Sequence, residues 1–143
     1  MSKYNSSVCS LDGITFDSKQ EKMYYEYLKV RLENKEILSF ELQPAYELIP
    51  KFTKFDKKYR ACTYTPDYKI THIDGSIELI DVKGFSTQQG DLRKKLFDYN
   101  FPNLKLTWVQ YVAKYGGWCE YDELKHLRKA DKFSKSMAKL SGI

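Results

Sequence analysis

Tyr24, Tyr25, Leu28 and Leu32 recur three and four residues apart, the spacing of one helix face, and the capping-box pattern Ser18-x-x-Glu21 stands just ahead of them. A helix is therefore predicted from Ser18 to about Asn34. Residues 1–17 are polar and aperiodic, save for a short extended piece at Gly13–Phe16. Two runs rich in β-branched and aromatic residues follow, Ile37–Ile49 and Tyr59–Ile73, with the charged stretch Lys51–Lys58 between them as a loop or hairpin tip. Asp74-Gly75 signals a turn, and Ile77–Phe85 reads as a third strand. Leu92, Leu96 and Tyr99 place an apolar stripe on a helix that Ser86 or Thr87 opens and that stops before Pro102. Leu104–Ala113 is a strongly apolar strand, Tyr115-Gly116-Gly117 breaks it, and Tyr121–Leu140 reads as a basic helix carrying Leu124, Leu127 and Met137. This order, with no repeat or low-complexity linker, predicts an α/β fold with a mixed central sheet flanked by helices.

With 143 residues, 42% hydrophobic and 30% charged, the chain suits one compact domain over 1–143. No stretch reaches the roughly eighteen uninterrupted apolar residues of a membrane span, and the N-terminus lacks the apolar core of a secretory signal. An intracellular, cytoplasmic protein with no membrane partner is expected. Cys9, Cys62 and Cys119 form no CxxC pair and read as ordinary buried thiols, while His72 and His126 are the only histidines. That pattern disfavours nucleases with clustered histidines and multi-His zinc hydrolases, and leaves oxygen ligands for any metal.

Charge changes the picture at the C-terminus. From Leu124 onward Lys125, Arg128, Lys129, Lys132, Lys135 and Lys139 face only Asp131, and residues 1–123 are balanced, so the net +5 sits in the last segment. A localised basic element suits a polyanion, nucleic acid first; it equally suits a solvated helix face.

The tripeptide acid-x-Lys occurs six times and by itself says nothing. Asp81-Val82-Lys83 differs, because its charges follow the apolar run Ile77–Ile80 directly before Gly84, where a strand leaves a sheet and charge is desolvated unless compensated. If Asp74-Gly75 were a two-residue turn, Asp67 would share a face with Val82 and not with Asp81. A three-residue loop or bulge changes the parity: Asp67 then faces Lys83, Lys69 faces Asp81, and Tyr68, Ile70, Ile80 and Val82 collect on the other face. That apolar matching favours the second register and puts Asp67, Asp81 and Lys83 on one face. Glu21 belongs to the inward stripe of the first helix, where its capping box with Ser18 is an equally good account of it.

A helix bearing Glu21, Pro66-Asp67 on one strand and Asp81-Val82-Lys83 on the next resembles the PD-(D/E)XK nuclease superfamily. The order helix, three strands, helix, strand is similar to that superfamily's restriction-endonuclease-like core and would cover about 18–113, leaving the helix at about 121–140 as an addition. Asp-Val-Lys-Gly followed by Thr87 and the basic Arg93-Lys94-Lys95 looks like small phage-type endonucleases akin to Holliday-junction resolvases. The resemblance implies a Mg²⁺-dependent DNA endonuclease, with Mn²⁺ as a substitute, selective for branched DNA and working as a homodimer. It further implies Asp67, Asp81 and the Val82 carbonyl as metal ligands, Glu21 on a second ion or a water, and Lys83 beside the attacking water and the phosphate. Thr87, Arg93, Lys94 and Lys95, with Lys125, Arg128, Lys129 and Lys132 of the last helix, would contact DNA.

Two other readings compete. A non-catalytic DNA-binding module would keep the core without cleaving, and a partner-binding protein would use the acids in cross-strand ion pairs, Asp81 with Lys69 and Asp67 with Lys83. Tyr59 and Tyr64 are conceivable base-stacking residues that nothing in the sequence singles out.

Overall fold

The computed structural model of the chain describes residues 8–142; the expectations for 1–7 and for Ile143 lie outside them. Cys9–Leu11 (β1) and Ile14–Phe16 (β2) form a hairpin around Asp12-Gly13, where the sequence indicated only its second half. Ser18 caps α1 (Lys19–Glu33), its hydroxyl accepting the Glu21 N–H at 3.1 Å. That helix buries Tyr24, Tyr25 and Leu28, and leaves Leu32 exposed.

Each long extended run divides in two. Ile37–Leu42 (β3) and Tyr46–Ile49 (β4) part at Gln43-Pro44, where Gln43 takes a positive φ. Phe52–Lys54 (β5) and Lys57–Tyr59 (β6) make a separate hairpin. Cys62–Tyr64 (β7) and Tyr68–His72 (β8) part at Thr65-Pro66, since proline cannot donate to a ladder. Ile77–Val82 (β9) follows, then α2 (Gln88–Asn100), Lys105–Val112 (β10), Gly117–Glu120 (β11) and α3 (Tyr121–Leu140). β11 was not legible as a strand, and β9 stops at Val82, short of Phe85.

Among the described residues the main sheet has five strands in the order β11-β10-β9-β8-β3. β9 and β10 run parallel with α2 as the crossover, and the other pairs are antiparallel, so the chain is α/β with a mixed sheet and three helices. One face packs Tyr68, Ile70, Ile80 and Val109 against Tyr24, Tyr25 and Leu28 of α1. The other packs Leu79, Leu106 and Trp108 with Phe97 of α2 and with Tyr64 and Leu48 of the β4–β7 ribbon. Gln20 ties α1 to the sheet by bonding both the carbonyl and the N–H of Tyr111. No helix among the described residues is long and apolar enough to cross a membrane.

The register between β8 and β9 corrects the sequence expectation by a slide of two residues. Tyr68 lies opposite Ile80 and Ile70 opposite Glu78, so neither Asp67–Lys83 nor Lys69–Asp81 is a pair. The loop is three residues long, Ile73–Gly75, closed by His72 N–H on the Ser76 carbonyl at 2.9 Å and held by Asp74, which accepts from the Ser76 N–H and hydroxyl. A slide by two preserves which face each side chain occupies. The shared face of Asp67, Asp81 and Lys83 therefore stands, but with Asp67 level with Asp81.

Candidate active site

Asp81 is the one buried charged residue among the described residues, at 8% exposure. It lies on the face covered by α2, one residue past Ile80, where the parallel pairing of β9 with β10 sets it level with Trp108. Two donors converge on its Oδ2: the Tyr64 hydroxyl at 2.6 Å and the Lys83 ammonium at 3.1 Å. The Tyr64 oxygen in turn accepts the Trp108 indole N–H at 3.0 Å. The tyrosine is thus a buried spacer between indole and carboxylate, its own ionisation pushed up by burial and then by the neighbouring Asp81 charge. Burial at 6% exposure removes it as a base-stacking residue.

Asp67 follows buried Pro66 at the mouth of β8 and accepts the Val82 N–H at 2.8 Å. Its carboxyl is held well above the usual carboxylate range, first by burial, then by the Asp81 charge and the hydrogen bond the two share, and further by Glu21; the Val82 N–H pulls the other way. Two carboxyls this close retain a proton between them unless a cation replaces it. Because the Lys83 N–H bonds the Val109 carbonyl at 2.8 Å, both backbone groups of Val82 point away from β10, toward the mouth where Asp67 sits.

Glu21 stands at the margin. Burial, then the charge of Asp17, and more weakly that of Asp81, push its carboxyl up, while polar contacts with the Asp17 backbone and the Ser18 hydroxyl oppose them. Its carboxylate is held by the cap of α1 and does not close with the aspartates: among the described residues no three Asp, Glu, His or Cys side chains form a ready metal cluster. The Tyr68 hydroxyl bonds the Glu21 carbonyl at 2.7 Å, and a shallow pocket of about 210 Å³ joins Glu21, Asp67 and Tyr68.

The cross-strand ion pairs of the partner-binding reading are not formed. Lys69 turns to Glu41 at 3.9 Å and Lys83 stays with Asp81 of its own strand. No cation of the fold reaches Asp67 among the described ion pairs.

Trp108 joins this acidic site to a neighbouring cleft. The Lys83 ammonium lies 5.1 Å from its ring centre and that of Lys94 5.8 Å, both cation–π contacts. Lys94, Lys95 and, across from them, Lys125 of α3 line a cleft of about 300 Å³, which Asp91, Asp98, Glu120 and Asp122 make mixed in charge. Lys94 is partly engaged by Asp98 at 2.9 Å. Arg93 and the α3 residues Arg128, Lys129 and Lys132 are exposed outside the cleft, and the Thr87 hydroxyl caps α2 through the Gly90 N–H at 3.0 Å. The Tyr121 hydroxyl accepts the Ser86 N–H at 2.9 Å, fastening the first residue of α3 to the loop that leaves Lys83. Cys119 is buried, and Cys9 and Cys62 are half-buried free thiols.

Sequence reasoning missed Tyr64 and Trp108. Neither had a local signal: Tyr64 reaches Asp81 by way of the β4–β7 ribbon and Trp108 by the β9–β10 pairing.

Fold and site together define an α/β domain with a paired-aspartate and lysine site at the end of a parallel strand pair. A family described as "Protein of unknown function (DUF1064)" matches residues 1–117, and the chain belongs to that family; α3 lies beyond the matched segment. No curated protein and no solved structure matches the chain.

Proposed function

We propose that the chain is a metal-dependent DNA endonuclease built on a restriction-endonuclease-like core and acting on branched DNA, as Holliday-junction resolvases do. The observation that carries this reading is that the β8–β9 register sets Asp67 level with buried Asp81, with Asp67 on the Val82 N–H and Lys83 on Asp81: folding alone gains little from bringing two carboxylates together in a half-buried mouth.

The donor set fits a hard divalent cation, because two oxygen-only side chains and a strand-end carbonyl share one mouth, and a cation there relieves the repulsion that a proton otherwise relieves. Asp67, Asp81 and the Val82 carbonyl would hold it, with Glu21 at the edge. Bound Mg²⁺, or Mn²⁺ in its place, supplies acidified water and neutralises charge on the phosphate.

The remaining work falls to the chain. Tyr64 and Lys83 both bond Oδ2 of Asp81 and so hold its carboxylate in place. Lys83, between Asp81 and the Trp108 ring, would meet a phosphate oxygen, and Lys94 against the same ring adds a second cation beside it. Cutting both strands of a branch calls for two such sites, hence a symmetric dimer.

The test is incubation of purified protein with linear, nicked, forked and four-way DNA in Mg²⁺, Mn²⁺ or EDTA. Cleavage confined to the metal lanes and to branched substrates is the expected result. Metal-independent binding without cleavage would favour a DNA-binding module instead.

A further inference from the structure

The hairpin β5–β6 does nothing for the core. Every residue from 51 to 60 is exposed, and an isolated two-stranded hairpin is at best marginally stable in water. Yet its composition is marked: Lys51, Lys54, Lys57, Lys58 and Arg60 oppose the single acid Asp56, and Phe52, Phe55 and Tyr59 stand among them. The balanced charge of residues 1–123 conceals this local excess. None of the five basic side chains has a carboxylate partner among the described ion pairs, and Lys54 lies directly opposite Lys57, a like-charge pairing that weakens a hairpin unless an anion lies across it.

The register puts Phe52, Lys54, Lys57 and Tyr59 on one face. Phe52 and Tyr59 stack flat, 4.6 Å apart at 7°, with the Lys57 ammonium 4.9 Å from the Tyr59 ring centre. At the tip Phe55 and Asp56 both have positive φ, 45° and 64°, a turn that favours Asn, Asp or Gly at its first position. A phenylalanine there opposes the turn's own preference and is 93% exposed. Its ring is presented outward by the tightest point of the arm.

The arm is rooted in the candidate active site. β5–β6 continues the β4–β7 ribbon, whose last residue, Tyr64, donates to Asp81. The nine residues from Tyr64 to Phe55 span about 30 Å when extended at about 3.3 Å each, close to one turn of duplex DNA.

We propose that β5–β6 is a DNA-engaging arm: its lysines bind backbone phosphates, and Phe55 inserts between bases about one turn from the cleaved bond, where a branch or distortion has already loosened stacking. Apolar wedges on basic β elements unstack base steps in this way. The inference rests on the endonuclease reading for its substrate class and deepens it by assigning how a distorted duplex is sensed.

The test uses the full chain in EDTA, with anisotropy on labelled four-way DNA, a 2-aminopurine reporter placed at successive steps near the branch, and anionic phospholipid vesicles as a competitor. Wild type should raise 2-aminopurine fluorescence at one step; Phe55→Ala should abolish that rise and weaken binding about five- to a hundredfold, the range of one lost stacking contact. Phe55→Trp should retain both. Substituting Lys54, Lys57 and Lys58 together by Ser should lower the slope of log affinity on log salt by about 2.7, at about 0.9 per phosphate. The hairpin buries nothing, so neither Phe55 variant nor the triple variant should lower the wild-type Tm. Binding by wild type with unchanged fluorescence, affinity and slope in the variants overturns the arm, as does vesicle binding without DNA binding. A parallel Mg²⁺ assay separates the two claims: arm-dependent binding without cleavage sinks only the endonuclease, and cleavage with arm-independent binding sinks only the arm.

Discussion

Asp67→Asn should make the metal-free protein more stable, and the size of the gain follows from the geometry. Asp67 is half-buried, shares a hydrogen bond with Asp81 and lacks a cation among the described residues, so its ionised form is penalised in the fold and free in the unfolded chain. A carboxyl with its folded pKa raised is protonated in both states below the unfolded value of 3.8 and contributes nothing there. Above that pH the unfolded chain ionises first, and stability falls as pH climbs toward the folded pKa. A proton kept through neutral pH would cost at most about 4 kcal/mol at pH 7. Solvent access at the mouth lowers that, and a gain of about 1–3 kcal/mol is expected from an asparagine whose Oδ1 still accepts from Val82 and whose Nδ2 donates to Asp81. For a domain of this length the gain corresponds to about 4–12 °C in Tm. Urea denaturation in EDTA at pH 4.5 and 7.5 reads it: the advantage of the variant should be small at the lower pH and open up at the higher. Adding Mg²⁺ or Mn²⁺ should stabilise wild type and leave the variant nearly unmoved. A variant less stable than wild type at pH 7.5, or an advantage independent of pH, would refute the reasoning that two crowded carboxyls oppose folding.

Asp81→Asn should cut cleavage about a hundredfold or more while DNA affinity in EDTA holds or rises; equal losses in both assays would deny Asp81 its assigned place. Tyr64→Phe removes the O–H donated to Asp81 and leaves the Trp108 N–H unpaired, so thermal denaturation should show a loss of about 1–3 kcal/mol, and an unchanged Tm would mean that water replaces the hydroxyl. Leu124→Ala should cost about 2–5 kcal/mol because that side chain is fully enclosed, whereas ending the chain after Asp131, which keeps the contacts of that residue with Lys114 and Tyr115, should barely alter Tm. The shortened chain should nonetheless lose salt dependence in DNA binding if Lys132, Lys135 and Lys139 meet phosphates; an unchanged slope assigns the far half of α3 to another role.

The helix bounds were legible because each helix announces itself locally, but the buried stripes were not: on α2 Leu92 and Tyr99 are exposed and Phe97 is the buried residue, and on α3 Met137 is exposed. Ser18 and Thr87 cap as their sequence positions indicate, Pro102 follows the end of α2, and α3 occupies the very residues its stripe marks out. The sheet was legible only in parity. Matching Tyr68, Ile70 and Ile80 places them on one face, but the slide of two residues depends on where the loop closes, which Asp74 decides through Ser76. β11 escaped because Gly116-Gly117 reads as a terminator, whereas Gly117 at φ 117° begins the strand. At the site, Asp67, Asp81 and Lys83 are close in sequence and their common face follows from alternation. Trp108 arrives from a strand 27 residues beyond Asp81 by parallel pairing, and Tyr64 by a ribbon that leaves the sheet and returns, so neither has a local signature.

The phenol of Tyr121 has a wider consequence. One hydroxyl, the leucine behind it and Asp131, which accepts from Lys114 and Tyr115, moor a twenty-residue helix to the body of the fold, while Phe133, Met137 and Leu140 farther out are exposed. The outer turns can therefore change length, charge or shape without disturbing the acids. Any force on that lever would still reach them through the Ser86 amide, once the Asp131 contacts had taken their share.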